Sequence, residues 1–259
     1  MLVWVTRFAG TIALLMLFGS AESAVRAQSD EDSTRPRRAL ASNIVTDRLS
    51  SKDLRRWEKI KRIVFAEDIE SQPLHPTLRG LWEQLERSGH TIYIEMRGMG
   101  RAISNTAGVF LIERLDPEGI RHVAVIRLYP ETIDRAYVGP SAARPEGFIP
   151  FQGLGKEERY AEVLGHELAH AVHILGDLTR AQMVEEIVQQ TNESFLSYGR
   201  RNGYAKIEPE MHRRIAIRDA FLKELEEPAE AAEMLIWREI VSNRAARNKN
   251  RNRDAFARR

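Results

Sequence analysis

The chain has 259 residues, which is enough for one domain of ordinary size with an extension. Apolar residues make up 43% of the chain and charged residues 29%, as in a globular protein. The formal net charge of +2 is too small to indicate a nucleic-acid partner. Because the chain contains no cysteine, it has no disulfide, thiolate metal site or thiol nucleophile, and any metal ion must be bound by histidines and carboxylates.

The N-terminus has the pattern of a secretory signal peptide. Arg7 precedes an apolar run from Phe8 to Phe18 that is short for a membrane-spanning helix, and small residues follow up to Ala27. We therefore predict a signal peptide over residues 1–27 with cleavage near Ala27; the alternative is an uncleaved membrane anchor. Either form places the rest of the chain outside the cytoplasm, in the periplasm or secreted. The polar residues 28–51 are predicted to form a flexible linker.

The chain from residue 52 is predicted to form two helices and then three strands. Apolar residues at helical spacing predict two helices, Lys52–Asp68 and Thr77–Gly89. Runs of β-branched or alternating apolar residues predict three strands, Thr91–Met96, Gly108–Leu115 and His122–Tyr129. Asp116–Gly119 contains Pro and Gly in positions that suit a tight turn, so the last two strands should form a hairpin. The strands together predict a small, mainly antiparallel sheet.

The second part of the chain is predicted to be helical. A Pro/Gly-rich loop over Val138–Gly155 is interpreted either as the rim of a cleft or as a plain connector, and four helical segments follow it, at residues 156–175, 179–198, 209–226 and 229–248. Strands followed by helices indicate an α+β fold, with one domain over residues 52–248. The basic residues 249–259 are predicted to be a disordered tail, either solvated or in weak contact with an anionic surface.

One short motif carries the chemical prediction. The sequence VLGHELAHAVH, residues 163–173, contains the spacing H-E-x-x-H. His166 and His170 are four residues apart on a predicted helix, so both imidazoles can face one metal ion. Glu167 lies one step further round the helix, where its carboxylate can take a proton from a water bound to that ion. The alternative is a core helix that carries two hydrogen-bonded histidines and no metal.

The extended motif resembles that of the zincin metallopeptidases. Zincins have a small or β-branched residue three positions before the first histidine, as Val163 is here, and uncharged residues at the inner positions. The order of three strands, a long loop and the motif helix is also similar to the zincin upper lobe. The resemblance implies one Zn²⁺ bound by His166 and His170, with Glu167 as general base for peptide hydrolysis. It also implies a strand beside the cleft that aligns the substrate backbone, for which His122–Tyr129 is the candidate.

A catalytic zinc normally has three protein ligands and a water, so a third ligand is needed. The metzincin pattern requires a glycine at position 173 and a histidine at position 176, whereas this chain has His173 and Gly176. His173 is therefore expected to be a solvated or core residue rather than a ligand. Gluzincins take a Glu from a later helix, followed four residues on by Asp or Asn, and Glu239 with Asn243 resembles that pair. The resemblance thus implies Glu239 as the third ligand.

Other assignments stay open. Glu186 and then Asp177 are the alternative third ligands, because both lie closer to the motif in sequence. A hydrogen-bond donor for the transition state is also expected, with Tyr198, Tyr204 and His212 as candidates. The sequence as a whole predicts an exported zinc metallopeptidase that acts on peptides or proteins of the cell envelope. The alternatives are a catalytically inactive zincin-like protein that binds zinc or an envelope partner, and a zinc hydrolase of non-peptide amides.

Overall fold

Five strands and six helices make up the part of the chain that the computed structural model describes, namely residues 5–6, 42–98, 106–135, 149–192, 203 and 207–257. In chain order the elements are β1 (Val5–Thr6), β2 (Ile44–Val45), α1 (Ser51–Val64), α2 (Pro76–Arg87), β3 (Thr91–Met96), β4 (Gly108–Arg114), β5 (Val123–Leu128), α3 (Pro130–Arg135), α4 (Lys156–Leu175), α5 (Leu178–Asn192) and α6 (Ile207–Ala257). Apart from residues 5–6, the predicted signal peptide lies outside the described residues. Within them, no helix combines the length and the apolar character that crossing a bilayer requires.

The strands form one mixed sheet in the order β1-β4-β5-β3-β2. β4 pairs antiparallel with β1 and β5, whereas β3 pairs parallel with β5 and β2. The α+β class is confirmed, but the sheet is not mainly antiparallel. The difference arises because β5 inserts between β3 and β4, so β3 and β5, which are separated by two chain reversals, lie side by side and run in the same direction.

The central position of β5 also overturns its proposed role beside the cleft. Both edges of Val123–Leu128 are hydrogen-bonded to neighbouring strands. A strand with both edges paired has no free backbone groups for a substrate, so the prediction for His122–Tyr129 is wrong. The hairpin itself is confirmed: the amide of Gly119 donates to the carbonyl of Asp116, and Gly119 has a φ of 73°, which glycine adopts without strain.

Residues at the start of the domain are ordered by local caps and by the sheet. Ile44 and Val45, predicted to lie in a flexible linker, form β2 beside β3. Ser50 caps α1 by accepting a hydrogen bond from the amide of Asp53. α2 begins at Pro76, which suits the first helical turn because proline lacks the amide that would be unpaired there.

Helix α4 is the centre of the molecule. Fourteen of its 20 residues are buried, because it packs against β4 and β5 as well as against α1, α2 and α6. Its first turn is closed by the Glu158 side chain, which accepts from the amide of Gly155 at 2.6 Å. The boundaries agree with the predicted segment 156–175.

Helix α6 is continuous where the sequence predicted two helices and a tail. It runs through Pro228, although proline removes one intrahelical hydrogen bond and crowds the preceding turn. Leu225 and Ala229 on either side are fully buried, and α6 packs closely on α4. Tertiary packing therefore holds both halves in one helix. Residues 249–257, predicted to be disordered, continue the same helix.

Candidate metal centre

The two motif histidines project from α4 into the same buried space. Their Nε2 atoms are 3.1 Å apart and their ring centroids are 4.8 Å apart, with the ring planes at 77°. His166 is 1% exposed and His170 is 2% exposed. Because residues four apart stack on one helix face, the local geometry of α4 is sufficient to bring these two nitrogens together.

Glu226 of α6 completes a group of three potential ligands. One of its carboxylate oxygens lies 3.5 Å from Nε2 of His166 and the other lies 3.5 Å from Nε2 of His170. Zinc–nitrogen and zinc–oxygen bonds of about 2.0–2.1 Å in a tetrahedron separate neighbouring donor atoms by about 3.3 Å. The two nitrogens, 3.1 Å apart, and the contacts of 3.5 Å that each makes with a different oxygen of Glu226 are close to this value, and the three residues form a group that could hold one metal ion. His166, His170 and Glu226 are the one group of this kind within the described residues.

Glu239, the third ligand implied by the resemblance, lies elsewhere. Its carboxylate accepts hydrogen bonds from the amide of Thr77 at 3.2 Å and from the Thr77 hydroxyl at 2.6 Å, at the N-terminus of α2. Asn243, one turn later, donates to the carbonyl of Leu74. The Glu239–Asn243 pair therefore fastens α6 to the start of α2. A carboxylate there also complements the positive end of the α2 dipole.

The alternative ligands are likewise not part of the group. Asp177 is half-buried and accepts from the amide of Arg180 at 3.2 Å, which caps the start of α5. Glu186 is exposed on α5. His173 is half-buried at the end of α4, where burial and then the charge of Arg180 lower its pKa.

Glu167 follows the ligand candidate His166 on α4, and its side chain lies against Gly108 at the start of β4. It is 1% exposed, and a methyl group built on Gly108 would lie 2.6 Å from its Oε1 atom. Its negative charge reaches Tyr129 just after β5. Burial raises the pKa of the Tyr129 phenol to about 12, Arg127 opposes the rise, and Glu167 adds to it. The motif thus places a buried carboxylate next to the metal group but outside it.

The electrostatics of the group favour positive charge between the helices. Burial by itself lowers the pKa of His166, but the carboxylates of Glu226 and Glu233 outweigh it and raise that pKa to about 10. Burial likewise raises the pKa of Glu226, but the two histidines hold it well below its ordinary range. The buried carboxylates thus stabilise a cation at this place, and a divalent metal ion is one that the donor set fits.

The remaining predicted residues divide between described and undescribed parts of the chain. His212 is exposed on α6. Tyr198 and Tyr204 lie outside the described residues, as does the loop over 138–148. The described end of that loop is fixed against α4, because the buried carboxylate of Glu162 accepts from the amide of Phe151 at 3.2 Å. Phe151 has a φ of 65°, unusual for a residue with a side chain.

The sequence contained a signal for Glu226 that spacing from the motif does not reveal. Glu226, Glu230 and Glu233 recur at intervals of four and three, so they share one face of α6, and all three are buried. The apolar residues of the same stretch are buried too: Leu222, Leu225, Ala229 and Ile236. Three carboxylates inside an apolar stripe indicate that the stripe faces a cationic site.

Comparisons with known proteins give no relative for this chain. No protein-family model matches the sequence, and neither the curated proteins nor the solved structures contain a match.

Proposed function

We propose that the chain is a zinc-dependent metallopeptidase in which His166, His170 and Glu226 bind one Zn²⁺ and Glu167 is the general base. The observation that carries the proposal is the buried group of donor atoms, in which the two Nε2 atoms are 3.1 Å apart and each lies 3.5 Å from a different oxygen of Glu226, on a helix that also carries the buried carboxylate of Glu167. A catalytic zinc ion typically has three protein ligands and keeps the fourth position for water or substrate. A structural zinc ion has protein ligands at all four positions. Glu226 supplies the distal glutamate that a gluzincin-like site needs.

In the proposed hydrolysis, the metal ion and the carboxylate of Glu167 have separate roles. A zinc ion bound here supplies Lewis-acid chemistry, which polarises a peptide carbonyl and lowers the pKa of water to about 7. Glu167 takes a proton from the attacking water and delivers it to the nitrogen of the broken peptide bond, so it ends ionised as it began. The close contact with Gly108 restricts the directions in which the Glu167 carboxylate can point.

The proposed role of Glu167 is tested by the Glu167→Gln variant. We expect this variant to retain one zinc per chain, since Glu167 is not a ligand, and to lose peptidase activity by about 10²–10⁴-fold. Zinc is measured by elemental analysis and activity by cleavage of an unstructured protein substrate. Glu226→Gln is the matched comparison: the same chemical change on α6 should lower the zinc content. A Glu167→Gln protein with zinc and full activity would refute the mechanism.

A second candidate function is zinc or partner binding without catalysis. The observation that favours it is the burial of the site, because His166, Glu167 and His170 are 1–2% exposed and Glu226 is 6% exposed. With these side chains covered to this degree, a substrate would reach them only after the covering residues move. Cleavage of a protein or peptide that stops on chelation and resumes with added zinc would eliminate this candidate.

The proposal includes export and an envelope substrate, which rest on the N-terminal sequence pattern. If the signal peptide is cleaved near Ala27, the mature chain begins at about residue 28. N-terminal sequencing of the protein recovered from the periplasm or medium tests this. A protein recovered only from the cytoplasm with residues 1–27 intact would contradict it.

A further inference from the structure

His166 has a different carboxylate facing each nitrogen of its ring. Nε2 is directed at the metal group, 3.5 Å from Glu226. Nδ1, on the other side of the ring, lies 3.4 Å from Oε2 of Glu233. Glu233 has no solvent exposure, and it follows Glu226 by seven residues, so two turns of α6 place both carboxylates on one face. The ring of His166 thus lies between two carboxylates of α6, those of Glu226 and Glu233.

We infer that Glu233 is a positioning residue for the metal centre, which it serves by retaining the proton on Nδ1 of His166. With the proton on Nδ1, the lone pair of Nε2 points at Glu226 and His170, where a metal ion would be bound. A carboxylate that accepts from the second nitrogen of a ligand histidine fixes its tautomer and ring orientation and makes it a stronger ligand. The inference rests on the proposed function, because it requires that His166 bind a metal.

The identity of this residue differs from the one that the sequence resemblance implies. The resemblance implied Asn243, four residues after Glu239, as the side chain that orients a ligand histidine, but Asn243 donates to the carbonyl of Leu74. The contact with Nδ1 of His166 comes instead from Glu233. The crossing of α4 and α6 decides which turn of α6 meets the ring.

A purely structural role is the competing explanation, because a buried ion pair also affects folding when one partner is removed. The two roles differ in what they change. A structural residue alters the free energy of unfolding of the metal-free and metal-loaded protein alike. A positioning residue also changes the affinity for zinc and the ligand geometry around the ion.

The test compares zinc affinity in four forms of the full chain: the wild type, Glu233→Gln, Glu233→Asp and Glu239→Gln. Zinc affinity is measured by competition with a chelator, and the visible spectrum of the Co²⁺-loaded protein reports the ligand geometry. Glu239→Gln is the matched control, because it makes the same change on the same helix at a side chain that contacts Thr77. We expect Glu233→Gln to weaken zinc binding by about 10–100-fold and to alter the cobalt spectrum. Glu233→Asp, which keeps the charge, should recover part of the affinity, and Glu239→Gln should bind zinc like the wild type.

Three results would overturn the inference. Wild-type zinc affinity and an unchanged cobalt spectrum in Glu233→Gln would remove the positioning role and leave the proposed metal site intact. If Glu233→Gln does not fold, Glu233→Asp decides the matter, and an affinity equal to that of the wild type counts against the inference. A wild-type protein that binds no zinc would overturn both this inference and the proposed function.

Discussion

The carboxylate of Glu167 and the backbone of Gly108 are in a contact that leaves no room for a side chain. A Cβ atom at Gly108 would lie 2.6 Å from Oε1 of Glu167 and 2.7 Å from a methyl group of Val163, closer than real Cβ contacts. Val163 is fully buried, so it has little freedom to move away. Glu167 would have to shift instead, and with it the group that we propose as general base.

Gly108→Ala should therefore lower peptidase activity without removing the metal. We expect a decrease in kcat/KM of about 10–100-fold, since displacements of about 1 Å at a catalytic group have effects of this size. The zinc content should stay at the wild-type value, because neither the histidines nor Glu226 is touched. Gly80→Ala is the control, as nothing lies within 4 Å of a Cβ atom there. Full activity in Gly108→Ala would show that contact with the backbone of Gly108 does not fix the position of the Glu167 carboxylate.

At the scale of secondary structure, the crossing of α4 and α6 determines the metal group. A Cβ atom on Gly165 would overlap Cδ1 of Ile236, a fully buried residue of α6. The Ile236 side chain of α6 thus packs directly against the backbone of α4 one residue before His166. The contact between Gly165 and Ile236 fixes the position of α6 along the axis of α4. That position decides which glutamate of α6 lies against the two histidines.

Gly165→Ala should destabilise the protein even though alanine favours helices. The gain in helix propensity is at most about 1 kcal/mol, whereas overpacking a dense core costs about 1–3 kcal/mol. Ile236→Val removes the overlapping Cδ1 atom, so adding Gly165→Ala to that variant should be neutral or stabilising. Urea unfolding of both single variants and the double variant measures this coupling. Gly80→Ala, on an open face of α2, should be stabilising, and additive effects of the two core substitutions would contradict close packing at this crossing.

Over the whole molecule, burial lowers the pKa values of three histidines outside the candidate metal centre, namely His75, His90 and His122. Burial and then the charge of Arg247 lower the pKa of His75 to about 4. Burial is also the main cause of the lowered pKa values of His90 and His122, whose rings stack at 4.8 Å. Nδ1 of His122 accepts from the amide of Asp116 at 3.0 Å, and Nδ1 of His90 accepts from the amide of His122 at 3.2 Å. Protonation of either Nδ1 would remove the acceptor.

The free energy of unfolding of the zinc-free protein should consequently fall as the pH drops from about 5.5, where unfolded histidines are already largely protonated, towards 4. Each folded pKa lies below the unfolded value of about 6.5, so the unfolded chain binds more protons in this range. His166 does not contribute there, because its raised pKa leaves it protonated in both states. Glu226, with its lowered pKa, contributes only below about 4.5.

Urea unfolding at a series of pH values between about 5.5 and 4, where His166 is protonated in both states, checks this prediction for the whole protein. The His122→Gln variant should show a weaker pH dependence, because its amide oxygen can accept from Asp116 but does not titrate. A wild-type stability that is constant over this range would contradict the prediction. A His122→Gln variant with the wild-type pH dependence would show that this histidine has no part in it.

The sequence alone determined the features that depend on neighbours along the chain. The limits of α4, the hairpin at Asp116–Gly119 and the meeting of His166 with His170 all follow from local periodicity or turn chemistry. It also predicted α2 and the three main strands to within a few residues. Each of these features is fixed by φ and ψ preferences and by the alternation of apolar residues, which a sequence displays directly.

Only the tertiary structure decided how these pieces meet. The insertion of β5 between β3 and β4, the continuity of α6 through Pro228 and the choice of Glu226 over Glu239 depend on contacts between segments far apart in sequence. Both glutamates lie on α6, and helical spacing cannot tell which of them faces the histidines and which caps α2. The close approach at Gly165 fixes that register, because two packed helices allow little sliding once a side chain of one is seated against the backbone of the other.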